Sequence, residues 1–532
     1  MRGLLAGLLV LSACARVAPA GPTLPEAGDA PPGATTWTGT VLFEARSPTP
    51  TGASRTTERL PAVRVELRAV DAEGNVVGDA VTDAAGAFRL AAAPGARELE
   101  VRASLADRVG SHPAPRLAVT RDGLGDTVHT LRVPLGDPAT PLAIVAEDEA
   151  GTLAGALHIL DAMRRGVEAV ERWTGERLPP FFAYWDRGVT TTWSFYTGER
   201  PQGSGRYTIE LLGGEPGRRA LTDTDEHDES IVLHELGHFV MDVLTTDSSP
   251  GGGHPGGVLL DPGLAWEEGR ATWFAAAVQG RPRYLDTIGL EPAGELRVAH
   301  DLERGRGDEV KGLGSEAAVA EILWDLTDGA EGFRDDDVDG VALGPAAVLE
   351  AMRELAGVEG AYPALPTFLQ HLVASGRVPG DRLRTLLTRA GQPAELLPGP
   401  HETPPWPIDI ALPAEVEAKV DGVTDPAPSG GPARPSNGID AMRVFRFHLP
   451  EAGRVRVRLR IEGSGSHRRD QTDLDIELRD LRAELLASSR SGNSPDELIS
   501  RQLPAGHYLI YVRDGGNGNR AEFHLEVARE TW

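Results

Sequence analysis

The sequence is short of cysteine, of positive charge and of long hydrophobic runs. Cys14 is the only cysteine in 532 residues, so the chain cannot form an internal disulfide bond. Lys and Arg number 53 against 79 Asp and Glu, which leaves a formal net charge of −26 at pH 7. This negative charge argues against nucleic acid, and against an anionic lipid surface, as a partner. Its simplest consequence is solubility.

The apolar run Leu4–Leu11 is too short to span a bilayer as a helix. It follows Arg2 and precedes the small residues before Cys14, a pattern typical of an export signal. The residues Leu11-Ser12-Ala13-Cys14 resemble the bacterial lipobox, in which the cysteine becomes the lipidated first residue. The resemblance implies an exported protein with a lipid anchor at Cys14, at the outer membrane or cell surface. The alternative is an ordinary signal peptide that is cut elsewhere.

Changes in composition divide the rest of the chain. After the signal segment, the Pro-, Ala- and Gly-rich stretch has no apolar period and predicts a flexible tether. Short alternating runs predict a β-sandwich on either side of a mainly helical α+β domain. The predicted segments are 1–14 (signal peptide and lipobox), 15–35 (tether), 36–138 (N-terminal sandwich), 139–398 (central domain), 399–438 (linker or irregular start of the last domain) and 439–532 (C-terminal sandwich).

Both predicted sandwiches resemble known accessory modules. The runs 62–67 and 81–90 resemble the carboxypeptidase-regulatory-like family, which implies a structural or adhesive domain. The runs 473–478 and 503–512 resemble the bacterial pre-peptidase C-terminal domain, a β-sandwich appended to secreted peptidases. Neither resemblance implies catalysis by the sandwich itself.

The residues with the clearest chemistry are His234-Glu235-Leu236-Gly237-His238. On a helix, side chains four residues apart lie on one face, so His234 and His238 can reach one metal ion. Glu235 projects about 100° away from His234. It is therefore placed beside the metal, where a general base that activates water belongs. Apolar residues on both sides of the motif predict a helix inside a core.

A catalytic zinc ion usually takes three protein ligands, so a third is required. Met241 and Leu244 stand where a metzincin would have glycine and its third histidine, which excludes that class. The stretch from Ala265 to Phe274 contains Glu267-Glu268-Gly269-Arg270-Ala271, and its Glu-Gly-x-Ala form resembles the glutamate helix of gluzincin peptidases. The resemblance implies that Glu268 is the third ligand. Glu267 is the alternative.

The gluzincin resemblance implies a zincin-like central domain that cleaves peptide bonds with one zinc ion. Where thermolysin-like enzymes have a supporting aspartate, this chain has Thr272, whose hydroxyl could contact a ligand histidine. A further donor should stabilise the negatively charged oxygen of the transition state. The sequence offers four candidates and does not choose between them: Tyr207, His254, Tyr284 and His371.

Two other features carry alternatives. Asp335, Asp337 and Asp339 match the start of an EF-hand calcium loop, but Ala346 stands where its bidentate glutamate is expected. The loop is therefore interpreted first as a solvated turn. The alternative is a Ca²⁺ site. The strand predicted at 207–212 is either an edge on which a peptide substrate aligns or an ordinary sheet strand.

The combined prediction is a zinc metallopeptidase of gluzincin type, acting on a peptide or protein substrate. The alternative is a surface binding or adhesive lipoprotein whose central domain is inactive. A structural or storage zinc site is a third hypothesis, although such sites usually have four protein ligands. Substrate preference and oligomeric state do not follow from the sequence.

Overall fold

The protein is multidomain, and it is described here from a computed structural model. The structure describes residues 32–105, 116–199, 205–254, 257–305, 310–330, 333, 340–399, 403–421, 424–425, 434–435, 437–462, 473–491, 496–515 and 520–530. Cys14 and most of the predicted tether lie outside the described residues. So do Asp335, Asp337 and Asp339, and the calcium prediction stays a prediction.

The first part of the chain is all β. Its first strand alternates, and Val41, Phe43 and Ala45 turn inward into the core while their neighbours are more exposed. The strands are β1 (Thr35–Ala45), β2 (Pro48–Thr49), β3 (Gly52–Ala53), β4 (Glu58–Pro61), β5 (Val65–Val70), β6 (Val76–Val81), β7 (Ala87–Ala92), β8 (Glu98–Leu105), β9 (Leu117–Thr120), β10 (Thr130–Pro134) and β11 (Leu142–Ala146).

The central part of the chain carries all seven α-helices of the described residues. The strands here are β12 (Phe181–Tyr184), β13 (Phe195–Glu199), β14 (Tyr207–Glu210), β15 (Arg283–Ile288) and β16 (Glu295–Asp301). The helices are α1 (Leu153–Thr174), α2 (Glu229–Leu244), α3 (Pro262–Gln279), α4 (Glu316–Asp325), α5 (Gly344–Ala356), α6 (Leu365–Ala374) and α7 (Gly380–Arg389).

One sheet crosses residue 138, the predicted border between the first two domains. The eight-stranded sheet has the order β13-β14-β12-β9-β8-β5-β6, with β10 also paired to β8. Strand β12 pairs in parallel with β9, which joins the central part of the chain to the N-terminal part. A second sheet contains β11, β1, β4 and β7. One hydrophobic core runs from these strands through α1, α2 and α3.

The strand considered as a substrate-binding edge is β14, which pairs with β12 on one side and β13 on the other. Because β12 and β13 pair with its two edges, β14 has no free edge to which a peptide could add. The interpretation of an ordinary sheet strand therefore holds.

The C-terminal part forms two packed sheets, as its alternating pattern predicts. Val455, Val457 and Leu459 all point into a shared apolar core. The sheets have the orders β17-β21-β26-β23-β24 and β18-β27-β22-β25, and β19 pairs with β20. The strands are β17 (Ile408–Ile410), β18 (Ala414–Asp421), β19 (Thr424–Asp425), β20 (Arg434–Pro435), β21 (Met442–Leu449), β22 (Gly453–Glu462), β23 (Leu474–Asp480), β24 (Leu485–Ser489), β25 (Asp496–Leu503), β26 (Gly506–Asp514) and β27 (Arg520–Glu530).

The C-terminal sandwich packs against the central part through a small apolar cluster of its own. Tyr362 and Ala364, just before α6, meet Met442 and Tyr511 of the sandwich there. The hydroxyl groups of Tyr362 and Tyr511 lie 3.5 Å apart. This contact fixes the sandwich beside the helices that carry the predicted zinc ligands. Among the described helices, none combines the length and the apolar composition needed to cross a membrane.

Candidate metal centre

The predicted ligand helix α3 begins, and the predicted ligand helix α2 packs, as their sequences require. Asp261 caps α3 by accepting hydrogen bonds from the backbone N–H groups of Gly263 (2.9 Å) and Leu264 (3.1 Å). Pro262 follows in the first turn, where its missing N–H costs nothing. Helix α2 buries the apolar residues that flank its histidines, as expected for a helix inside a core. The histidine motif therefore lies on a buried helix.

Small residues let α2 and α3 approach closely. A Cβ atom at Gly237 would lie 3.0 Å from the Cα atom of Ala271. On the other side of α3, a Cβ atom at Gly269 would lie only 2.4 Å from the Cβ atom of Val319 in α4. Gly237 and Ala271 are therefore packing partners between α2 and α3, and Gly269 lets α3 approach α4.

Three side chains converge between these helices. The Nε2 atoms of His234 and His238 lie 3.1 Å apart. Glu268 Oε2 lies 3.2 Å from His234 Nε2 and 3.4 Å from His238 Nε2. One atom from each residue can be chosen so that all lie within 4.8 Å of one another. The i, i+4 spacing places the histidines together as predicted.

These separations suit one tetrahedral zinc ion. Zinc binds imidazole nitrogen and carboxylate oxygen at about 2.0–2.2 Å, so ligands at tetrahedral angles lie about 3.3–3.6 Å apart. The three observed separations of 3.1, 3.2 and 3.4 Å are close to this value. Two imidazoles and one carboxylate are also the donors of a catalytic site with one open position. The residues therefore fit zinc, although their role as ligands stays a prediction.

Glu267 points elsewhere. Its carboxylate forms a buried ion pair with Arg270, one turn along α3. Arg270 Nη1 also donates a hydrogen bond of 2.9 Å to the hydroxyl of Thr245. Glu267 thus neutralises a buried arginine, which leaves Glu268 as the glutamate that faces the two histidines.

Glu235 is buried, with 7 % of its surface exposed. Burial raises the pKa of its carboxyl group, and the nearby His234 and His238 oppose this shift. Glu268 adds to the rise through repulsion between like charges. A raised carboxyl pKa suits a group that must take up a proton and release it near neutral pH.

Thr272 lies where the predicted supporting group is expected. Its Oγ1 atom lies 3.2 Å from Nδ1 of His234. Because Nδ1 carries this contact, Nε2 of His234 is free to face Glu268 and His238. A hydroxyl therefore occupies the place of a carboxylate that would orient this histidine.

Two of the four candidate transition-state donors lie near the three converging side chains. The ring of Tyr284 lies 5.8 Å from the ring of His234, edge to face. His254 Nε2 lies 3.4 Å from Glu268 Oε1, and its Nδ1 lies 3.4 Å from Glu316 Oε2. Burial raises the pKa of Tyr284 well above its usual value, so its hydroxyl stays protonated at neutral pH.

The other two candidates lie elsewhere. The ring of Tyr207 packs 5.2 Å from that of Phe239, which points about 100° around α2 from His238. His371 lies on α6 and pairs with Glu354 of α5 at 3.3 Å. Neither residue is brought to the histidine pair.

An acidic cluster with two buried members, Asp225 and Asp286, lies beside Tyr284, and the sequence analysis missed it. Carboxylate oxygens of Asp223, Asp225 and Asp286 lie within 4.8 Å of one another. Burial and mutual repulsion raise the pKa of Asp225 well above its usual value and that of Asp286 to about 7. Arg297 pairs with Asp223. No local pattern signals this cluster, because Asp286 comes from β15.

Comparison with known proteins relates part of the chain to peptidases. The family described as Mycolysin C-terminal domain matches residues 188–354, less than half of the chain. The matched segment includes α2 and α3, so the chain is similar over this stretch to a peptidase-associated domain. No curated protein sequence matches the chain.

Among solved structures, similarity is limited. The pre-peptidase C-terminal domain of a collagenase from Bacillus anthracis is 15 % identical over 24 % of this chain and 99 % of its own, with a TM-score of 0.18. The periplasmic lysozyme inhibitor PliG of Aeromonas hydrophila is 16 % identical over 23 % of this chain and 96 % of its own, with a TM-score of 0.14. A β-1,3-glucan-binding module, CBM6, of Bacillus halodurans is 13 % identical over 23 % and 98 %, also at 0.14. Scores this low support no conclusion about function.

Proposed function

We propose that this protein is a zinc-dependent peptidase of gluzincin type. His234, His238 and Glu268 would hold the ion, and Glu235 would act as general base. The observation that carries the proposal is the set of separations between the three ligand atoms, 3.1, 3.2 and 3.4 Å. The similarity of residues 188–354 to the Mycolysin C-terminal domain supports the same class of protein.

A bound zinc ion would act as a Lewis acid. It would lower the pKa of water to near neutral and polarise a carbonyl oxygen. The protein residues have their own tasks. Thr272 orients His234 through the 3.2 Å contact at Nδ1. Glu268 lies within 3.4 Å of three imidazoles, those of His234, His238 and His254.

Glu235 would move the protons of the reaction. Its carboxylate accepts a proton from the attacking water and then delivers that proton to the leaving amine. Burial raises its pKa, which favours uptake of the proton in the first step. The position about 100° from His234 keeps this carboxylate beside the metal rather than on it.

Tyr284 and His254 would stabilise the negative charge that develops on the substrate oxygen. Tyr284 keeps its proton, because burial and the nearby Asp286 and Glu235 all raise its pKa. His254 lies 3.4 Å from Glu268, so it also reaches the site. The two donors approach from separate elements, β15 and the connection between α2 and α3.

The proposed substrate is a peptide or protein outside the cell. The lipobox-like residues before Cys14 support export and a lipid anchor. Mass spectrometry of the protein from membranes tests this anchor: a lipidated Cys14 at the mature amino terminus supports it. An uncut chain, or a mature protein that begins after Cys14, contradicts it.

Zinc content and casein hydrolysis of the purified protein test the proposed activity. We expect one zinc ion per chain, loss of cleavage with a chelator such as 1,10-phenanthroline, and recovery on addition of zinc. Zinc binding without cleavage of casein or of a broad peptide library would favour a binding protein instead. Absence of bound zinc would contradict the proposal altogether.

A further inference from the structure

The connection between the two ligand helices is held by a short segment of the C-terminal sandwich, residues 437–439, which lies just before β21. The backbone N–H of Asp261 donates to the carbonyl of Asn437 at 2.8 Å, and the N–H of Ile439 donates to the carbonyl of Leu259 at 2.9 Å. Leu260 and Gly438 form a β-bridge between these contacts. Residues 437–439 therefore fix the start of α3, which carries Glu268.

The side chain of Asn437 holds the same connection at a second place. Its Nδ2 atom donates to the carbonyl oxygens of Gly253 (2.9 Å) and Gly251 (3.3 Å). Its Oδ1 atom accepts a hydrogen bond of 3.1 Å from Arg513 Nη1 of β26. With 5 % of its surface exposed, Asn437 uses both ends of its amide in buried contacts.

The loop fits closely around this amide. Gly252 has a φ of +108°, a conformation that other residues rarely adopt. A Cβ atom at Gly252 would lie 2.7 Å from Asn437 Nδ2. The approach of the amide to the two carbonyls therefore depends on glycine at this position.

The next residue after the anchored loop is His254. Its two ring nitrogens lie 3.4 Å from Glu268 and 3.4 Å from Glu316. An unbroken chain of contacts thus runs from Arg513 in the sandwich, through Asn437 and the carbonyl of Gly253, to the histidine beside a predicted zinc ligand.

We infer that Asn437 is a positioning residue that holds His254 in place at the metal centre. The C-terminal sandwich would then be a structural part of the active site as well as an appended domain. The side chain of Asn437 acts through the 251–253 loop, while its backbone carbonyl, which the substitutions below leave in place, holds the start of α3. The inference rests on the proposed function for its catalytic consequence, but not for its structural one.

The substitution Asn437→Asp is the sharpest test, because it keeps the size of the side chain and the bond from Arg513. It removes the donors to Gly251 and Gly253 and sets a carboxylate against two carbonyl oxygens. Arg446→Ala is the matched control: Arg446 bonds to the carbonyl of Gly360 (2.7 Å) at the same interface, far along the chain from the loop. If Asn437→Asp fails to fold, Asn437→Ser removes the same two donors.

The structural outcome can be measured without any activity. A nitroxide label at Gly253→Cys, in a Cys14→Ser background, reports on the loop, and a Cβ atom at Gly253 meets nothing within 4 Å. We expect a broad electron paramagnetic resonance spectrum in the parent and with Arg446→Ala. With Asn437→Asp we expect a narrow spectrum of a mobile label. An unchanged spectrum would overturn the inference.

The catalytic outcome is measured separately. We expect Asn437→Asp to lower kcat about 10- to 100-fold, as loss of groups that orient catalytic side chains does, with zinc content retained. In a His254→Ala background, Asn437→Asp should lower kcat no further. If Asn437→Asp lowers kcat by the same factor in the His254→Ala background as in the parent, the inference is overturned. If the parent itself cleaves nothing, the proposed function fails, and the label spectrum alone still decides whether Asn437 holds the loop.

Discussion

Gly237 of α2 lies directly against Ala271 of α3, where an added Cβ atom at position 237 would come within 3.0 Å of the Ala271 Cα atom. This close contact sets the distance between the helix with the two histidines and the helix with Glu268. It also gives a physical reason for the Gly in the histidine motif and for the Ala three residues after Glu268.

The first prediction concerns the packing behind Glu268. In Gly269→Ala, the new methyl group would meet Val319 at 2.4 Å and the carbonyl of Glu316 at 2.7 Å. Such overpacking costs about 1–3 kcal/mol, and relief of it would displace α3 and weaken zinc binding. Denaturant unfolding and a chelator competition assay measure both effects. Gly151→Ala, where a Cβ atom meets nothing within 4 Å, is the control. Equal stability of the two variants would contradict the prediction.

The two neighbouring glutamates should behave differently. Glu268→Gln should lose zinc, because an amide is a poor replacement for a carboxylate ligand. Glu267→Gln should keep zinc but lower the free energy of unfolding by about 3 kcal/mol, since Arg270 loses a buried charge partner. Metal analysis and denaturant unfolding of both variants check this assignment. If Glu267→Gln loses zinc while Glu268→Gln keeps it, Glu267 and not Glu268 is the zinc ligand.

Tyr284 should contribute to the rate rather than to substrate binding. Tyr284→Phe removes one hydroxyl, and loss of a transition-state donor lowers kcat about 100-fold or more. We expect KM and zinc content to stay close to those of the parent. Tyr207→Phe, whose ring packs on Phe239, is the matched control and should leave kcat unchanged. A change in KM alone would assign Tyr284 to substrate binding instead.

The acidic cluster predicts how stability depends on pH. Burial, with Asp223 nearby, raises the pKa of Asp286 from 3.8 to about 7 in the folded protein. A raised pKa means that the folded state holds the proton more tightly than the unfolded state does. The stability that this carboxyl contributes is therefore complete below pH 3.8 and is lost as the pH rises through 7.

Asp286→Asn should remove this part of the pH dependence, because an amide does not ionise. Between these two pH values the parent should lose a few kcal/mol relative to the variant, since one pKa unit corresponds to about 1.4 kcal/mol. Denaturant unfolding across this range, with Asp381→Asn on α7 as a surface control, measures the difference. Parallel curves for the parent and Asp286→Asn would contradict the prediction.

Local patterns in the sequence predicted the elements that local forces determine. The i, i+4 histidines lie on one helix face because the helix has 3.6 residues per turn. Alternation in the run 455–460 predicted β22 and its inward face, because strand side chains alternate. The relative positions of side chains within one helix turn or one strand can be predicted without knowledge of the rest of the fold.

Relations between distant segments could not be predicted in this way. Alternation shows which face of a strand is buried but not which strand is its neighbour, so the pairing of β9 with β12 across residue 138 was not foreseen. For the same reason the sequence could not choose Tyr284 over Tyr207, or bring Asp286 to Asp225. Asn437 lay in a segment interpreted as a linker or an irregular start, and only the fold sets it against Gly253.

The most direct test of the central claim is the activity of Glu235→Gln at matched zinc content. Glutamine keeps the size of the side chain but cannot accept the proton of the attacking water. We expect the variant to bind one zinc ion as the parent does and to lose casein hydrolysis by a factor of about 100 or more. Cleavage at the parental rate by a variant that retains its zinc would show that Glu235 is not the general base and would contradict the account.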